Sequence, residues 1–443
     1  MEHVRIKKGL FTPTSIILAL LMLAGAVALF MRMTQGLGAT TALNDTWAWG
    51  LWKGFNVLVL ITFGAGGFTS AALIYLFGGE RYHGWALPTA LWGLLCYSFA
   101  GASLMVDIGI PWRIINPIWM WPEHSILFEV AWCVMLYITV LALEVAPGVF
   151  DRFGWSKLAD LWRTLVPWYA VAGLTFFTFA MSHSIVWTGS ILVLFTLINL
   201  LISRVKDKPS TPVMLIMFGV ILSVNHQSSL GSLFLLMPDK LSHFWWSPRL
   251  PFNFFMSAVA CGFAMLLVER TISSWAFGRT CAHNLMNSIS KGLAGFLWLY
   301  LGFRMIDVMA VMAGTSEFGG VAVAFGGSDK AALFVTEMFL VFAPALLFSF
   351  KWTREHAGFR FLAALGAVAG VALNRINVTF MGMNMEGTYV PSMVEVSVSV
   401  ATLAAIIFFF TLGAKLFPIY QIKDDANDNV DEEIKNEPVA QNA

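Results

Sequence analysis

The sequence predicts an all-α, polytopic transmembrane bundle of about twelve helices, and three observations predict it. Of 443 residues, 58% are hydrophobic and only 12% are charged. The mean hydropathy is +0.74. Apolar runs of about 20 residues recur along the chain, each long enough to cross a hydrocarbon core about 30 Å thick.

The first run, 14–34, follows the basic stretch MEHVRIKK and has the outline of a secretory signal. Because so many spans follow, it reads as an uncleaved first helix. Next come 49–78, 85–107 and 124–147. The stretch 165–203 is one 39-residue run interrupted by the polar MSHSIVWTGS, and it suits either two short helices or one long bent helix. Beyond it lie 211–237, 252–272, 287–313, 331–350, 360–382 and 392–416. Residues 1–420 thus form a transmembrane domain. The stretch 421–443, acidic and without aromatic residues, predicts a disordered, solvated tail.

Composition also excludes functions. A net charge of +1 with no basic stripe offers nothing to neutralise phosphates, so a nucleic-acid partner is not expected. Cys96, Cys133, Cys261 and Cys281 stand singly, without a CxxC, so neither an iron–sulfur cluster nor a zinc site is expected in this chain.

Lys and Arg concentrate in alternate loops if 165–203 crosses twice, which places both termini in the cytoplasm. Arg113, Lys240, Arg249 and Lys330 fall in the opposite loops, so the bias is clear without being absolute.

Ionisable residues inside apolar segments are costly and mark ligand sites, proton paths or ion pairs. Depth follows from a rise of about 1.5 Å per residue. His226, in NHQSSLGSLF, falls roughly 22 Å from the cytoplasmic start of its segment, in the outer half. Glu129 and Asp107 flank an outer loop. Arg304, Asp307, Glu337, Arg375 and Glu395 come out in the same half. Eight titratable groups on seven helices at one depth predict a polar chamber near the external face.

Plainer accounts stand beside this one. Arg304 and Asp307, three apart on one helix face, can simply neutralise each other. Glu337 and Glu395 lie near enough to the interface to be solvated, and a lone intramembrane histidine can be hydrogen-bonded within the bundle. For His226, the neighbours Asn225, Gln227, Ser228 and Ser229 favour function, since an apolar helix has little other use for five consecutive polar groups. Glu129 has no opposite charge within a helical turn. Glu144, Glu269 and Arg270 stand near the inner end, where a solvated helix terminus explains them better than a channel does.

Quinone chemistry suits such a chamber. Converting a quinone to a quinol takes two electrons and two protons, so the site must offer a hydrogen-bond donor to a carbonyl and a carboxylate or imidazole that exchanges protons. His226 and Glu129 supply those group types, with Asp107, Asn225, Gln227, Ser228, Arg304, Asp307 and Arg375 as candidate binding residues. Two alternatives remain. A haem b needs axial ligands within the spans, where only His183 and His226 qualify. An ion-coupled transporter would use the GAGGFTS stretch at 64–70 as a broken helix, although no internal repeat is evident.

The stretch NPIWMWPEHSILFEVAWCVMLYITVLALEVAP, a basic loop, and then NHQSSLGSLFLLMPDKLSHFWW resemble the NrfD/PsrC family of membrane subunits, most closely its HybB type. The resemblance runs from about Trp47 to Leu416. It implies a haem-free, quinone-reactive subunit of a periplasm-facing oxidoreductase complex, multi-pass in the bacterial inner membrane and passing electrons to or from menaquinone or ubiquinone. Implied partners are a periplasmic iron–sulfur subunit of the four-cluster ferredoxin type and a catalytic subunit such as a hydrogenase. By motif, Glu129 matches the family's intramembrane glutamate linked to proton movement, and His226 its HQSS histidine. The departure is 165–203, an extra hydrophobic stretch before HQSS. An even number of added crossings keeps HQSS on the outer side, which favours a hairpin added to ten family-like helices; its His183 would extend the site or, better, pack peripherally.

Overall fold

A computed structural model describes residues 3–4, 9, 11–73, 82–122, 125–204, 210–278, 283–313 and 328–421. Cys281 and the acidic stretch beyond 421 lie outside the described residues. The protein is an all-α bundle and a multi-pass membrane protein. Eleven described helices are long and apolar enough to cross a membrane.

Helix α1, Pro13–Gln35, starts at a capping box in which Thr12 and Ser15 exchange hydrogen bonds, with proline at the first helical position. The second segment, α2, spans 51–71 and is broken. It is π-helical over Trp52–Val59, α-helical over Leu60–Phe63, turned at 64–65, and α-helical again over Gly66–Ala71. Helices α3 (His83–Asp107) and α4 (Ile126–Phe153) follow, joined by a loop with a 3-10 turn at Pro111–Ile118. Gly154, in the left-handed conformation, ends α4.

The ambiguous stretch is a hairpin. Helix α5 (Ser156–Ser182) and α6 (Ile185–Arg204) meet at His183, whose φ of 46° reverses the chain. The expected start at 165 is nine residues late, because the charged DRFGWSKLADLWR continues as a solvated helical end. Then come α7 (Ser210–Leu235), α8 (Leu250–Phe277), α9 (His283–Met312), α10 (Ser328–Ser349), α11 (Ala357–Ile376, extended by a π-turn at Asn377–Met381) and α12 (Met393–Leu416).

Helix α8 is the hub, packed by α7, α9, α11 and the second half of α2, with 83% of its span buried. Helices α1 and α6, by contrast, bury only 11% of theirs and form the rim. An antiparallel pairing brings His3–Val4 and Tyr420–Gln421 together at one end of the bundle, as an even number of crossings between them requires. At that end Glu269 and Arg270 are buried, not solvated as expected. Ser273 and the Tyr420 hydroxyl donate to Glu269, and Arg270 lies over the Trp85 and Tyr420 rings.

Candidate functional site

The polar residues singled out by depth gather toward the end of the bundle opposite the paired termini, but they form separate hydrogen-bonded groups rather than one chamber. Two of the groups share α7.

His226 is fully buried on α7. Its Nδ1 lies 2.8 Å from the Leu222 carbonyl one turn back, so Nδ1 carries the proton and Nε2 is left as an acceptor. The Tyr97 hydroxyl of α3 fills that role as donor, 2.5 Å from Nε2. Gln227 donates to the Tyr97 oxygen at 3.3 Å and to the Ile61 carbonyl of α2 at 3.4 Å. The Tyr97 and Tyr137 rings close over the imidazole, at 5.2 and 5.6 Å between centroids. The break in α2 makes room for this: a Cβ at Gly64 would lie 2.7 Å from the Tyr97 ring.

Glu129 sits in the first turn of α4, half-buried, after the N-cap Ser125. It accepts a 2.7 Å hydrogen bond from Ser229 of α7. Ser229 lies one turn from His226, so α7 links the two motif residues without direct contact. At 100° per residue, Asn225, Ser228, Ser229 and Ser232 fall on one face of α7, the face toward Glu129. Asn225 and Ser228 are half-buried, so part of this stripe remains accessible at the edge of the contact between α4 and α7. Beside it, Trp121, Trp132 and Phe176 pack edge to face, with Phe176 supplied by the hairpin helix α5.

The remaining candidates are held elsewhere. Asp107, the last residue of α3, pairs with Lys53 at 2.6 Å, while Arg32 donates to the carbonyls of Val106 and Ile108. The two cations offset a carboxylate placed at the unfavourable negative end of a helix. Asp307 accepts from Ser247, Arg249 and Asn253 at 2.7–2.8 Å, and Arg304 stands 3.5 Å away, bonded to the Phe244 carbonyl. Together they fasten the loop between α7 and α8 to α9, so mutual neutralisation of Arg304 and Asp307 is only part of their role. Arg375 donates to Thr62, Asn374, Ser257 and the Phe254 carbonyl. Glu337 accepts from Trp245, Asn374 and Asn377. Glu395 closes the capping box of α12 with Ser392 and accepts from the Tyr389 hydroxyl and the Ala42 amide. Both glutamates are fully buried, unlike the solvated alternative.

Two residues escape a search for charges. Tyr97 is one more aromatic in an apolar run, and nothing local marks it. Asn56 is a lone amide in GFNVLVLITF, and that polarity is the signal that would have found it. It is fully buried in the π-helical part of α2, and neither its oxygen nor its nitrogen has a hydrogen-bond partner. Such stretches recur at functional sites.

No family model matches the chain. It is 29% identical to a protein of Nitratidesulfovibrio vulgaris over 97% of its own length and 100% of the relative's. It is 27% identical to the probable Ni/Fe-hydrogenase 2 b-type cytochrome subunit of Escherichia coli, covering 88% of this chain and 87% of that one. With the integral membrane subunit of menaquinone reductase from N. vulgaris it shares 24% identity over 91% of this chain and 90% of the relative. The name of the E. coli relative raises haem b. His183 is exposed at the hairpin turn beside Phe179, and both ring nitrogens of His226 are already bonded, so these two do not fit a haem's axial positions. The two relatives with descriptive names are subunits of a hydrogenase and of a menaquinone reductase, and they bear out the resemblance of this chain, carried by the FE and HQSS motifs, to HybB-like membrane subunits of the NrfD/PsrC family.

Proposed function

We propose that this chain is the quinone-reactive membrane subunit of a respiratory oxidoreductase complex. It exchanges electrons between a periplasmic iron–sulfur subunit and the menaquinone or ubiquinone pool, with both termini cytoplasmic in a bacterial inner membrane. The observation that carries the proposal is the half-buried Glu129 hydrogen-bonded to Ser229, one turn from the His226–Tyr97 pair. A quinone headgroup between α4 and α7 meets a carboxylate able to exchange protons, and the polar stripe of α7 supplies donors and acceptors. The iron–sulfur subunit delivers or removes the two electrons, and Glu129 passes protons to or from the headgroup oxygens. Tyr97 and His226 act behind this face: the phenol holds its proton against a fixed imidazole acceptor and positions Gln227. Asn56 offers a free amide to a second headgroup oxygen. The ion-paired Asp107 and the bonded Arg304, Asp307 and Arg375 are assigned to holding the helices around the site. A catalytic subunit such as a hydrogenase completes the complex, as the names of the relatives suggest.

The test is Glu129→Gln in the assembled complex. Quinone reactivity should be largely lost while the complex still assembles in the membrane. Turnover at the wild-type rate in that variant would refute the assignment.

A further inference from the structure

Helices α1 and α12 run side by side. At Gly25 they are in closest contact: a Cβ there would overlap that of Ala401. Small residues at a crossing let two backbones meet, and helices splay away from such a point. Toward the end carrying the paired His3–Val4 and Tyr420–Gln421, a groove of about 460 Å³ lies between the two helices. Its floor and walls are apolar, among them Leu18, Ala19, Leu23, Phe408 and Leu412. The polar lining residues, Thr12, Thr14, Ser15, Thr411 and Lys415, come from the N-cap and first turn of α1 and the last turns of α12.

Lys415 is the unusual member. Its side chain is 8% exposed, and its ammonium donates to the Gly9 carbonyl at 2.7 Å. Among the described residues no carboxylate pairs with it, so one of three donors is used and the charge meets only the negative end of α12. From Leu23 to Thr12 the groove runs eleven residues along α1, roughly 16 Å, the reach of an acyl chain into one leaflet.

An apolar slot on the rim of the bundle, with a nearly buried cation at its mouth that meets no carboxylate among the described residues, matches one amphiphile. We propose that the groove binds a single anionic phospholipid, with an acyl chain lying between α1 and α12 and its phosphate at Lys415. The site is separate from the Glu129–His226 face and does not depend on the quinone assignment.

Native mass spectrometry of the full-length chain in its detergent-purified complex tests this, with phosphatidylglycerol and phosphatidylcholine of identical acyl chains as probes. The wild type should hold one phosphatidylglycerol in preference to phosphatidylcholine by about fivefold, the effect of one cation near a lipid headgroup. Lys415→Gln should abolish the preference, and Lys415→Arg should keep it. Ala19→Trp, which fills the slot, should lose both lipids without loss of complex assembly. Full retention of the preference in Lys415→Gln would overturn the proposal even if Ala19→Trp failed to fold. So would recovery of a quinone, rather than a phospholipid, as the molecule displaced by Ala19→Trp.

Discussion

The Tyr97 hydroxyl lies 2.5 Å from Nε2 of His226, on the far side of the ring from the Leu222 carbonyl that fixes the tautomer. The histidine that the motif HQSS marks as a candidate proton-exchanging group is therefore a buried acceptor with its proton already placed. Its influence on a ligand passes through neighbours on α7 and α3. Tyr97→Phe should leave Nε2 with only the long 3.4 Å contact to the Gln227 amide in place of a short hydrogen bond. The expected cost is about 1–3 kcal/mol of stability, the penalty of an unsatisfied buried acceptor. Thermal unfolding of the purified complex, compared with quinone turnover, separates the two effects: a drop in melting temperature with unchanged turnover would make the pair structural only.

The glycine that admits Tyr97 should be equally sensitive. Gly64→Ala places a methyl group 2.7 Å from the ring, so the ring or α2 must move. Overpacking of this kind costs about 1–3 kcal/mol. Gly64→Ala with Tyr97→Leu should recover part of that loss, whereas Gly64→Ala with Tyr97→Phe, which keeps the ring, should not. Equal melting temperatures for both double variants would show that the clash is relieved elsewhere.

Ser229→Ala tests the link between the motif residues. The change removes the hydroxyl donated to Glu129 but leaves helix α7 and the carboxylate in place. Turnover should fall by about tenfold, the equivalent of one charge-assisted hydrogen bond. The fall should be far smaller than in Glu129→Gln. A loss as large as that variant's would mean that Ser229 itself carries the proton.

The twelve segments were legible because burial in lipid demands long apolar runs, and the runs 14–34, 85–107 and 392–416 fall within two residues of α1, α3 and α12. The hairpin was legible only in part: the polar MSHSIVWTGS suits either two helices or one bent helix, the loop charges and the resemblance favour two, and the chain turns at His183, with IVWTGS already inside α6. The site was legible only in part. Depth comes from counting residues along a helix, so it put Glu129, Asp107 and Asp307 at one level. It carries no information about which neighbour each helix faces, and the structure pairs Asp107 with Lys53 and Asp307 with Arg249 instead. Tyr97 and the break at Gly64 emerge only once α2, α3 and α7 pack together.

Tyr389, in the loop between α11 and α12, carries a pH dependence. Burial and its hydrogen bond to the Glu395 carboxylate raise its pKa above the ordinary tyrosine value of about 10. A raised pKa favours the neutral phenol in the folded state. Its contribution is therefore fully present below about pH 10 and is lost as pH climbs through the folded value. Wild-type protein should lose stability relative to Tyr389→Phe above about pH 10, and the difference between them should be constant from pH 6 to 9. Melting temperatures across that range measure it. A difference that changes between pH 6 and 9 would assign the titration to another group.

Asn56 separates a ligand contact from a packing fault. A buried amide with neither atom bonded costs about 1–3 kcal/mol in a folded chain that never supplies a partner, so Asn56→Leu, close in shape and apolar, should be neutral or stabilising on structural grounds. If the amide meets a headgroup oxygen, the same change removes a hydrogen bond made only when quinone is present. Asn56→Leu should therefore raise the melting temperature of the quinone-depleted complex while raising the KM for a short-chain quinone by about fivefold to tenfold, at nearly constant kcat. Asn56→Gln, which keeps the group but lengthens it, should perturb both. A stabilised Asn56→Leu variant with an unchanged KM would leave the amide without a role in quinone binding and confine the headgroup to the face between α4 and α7.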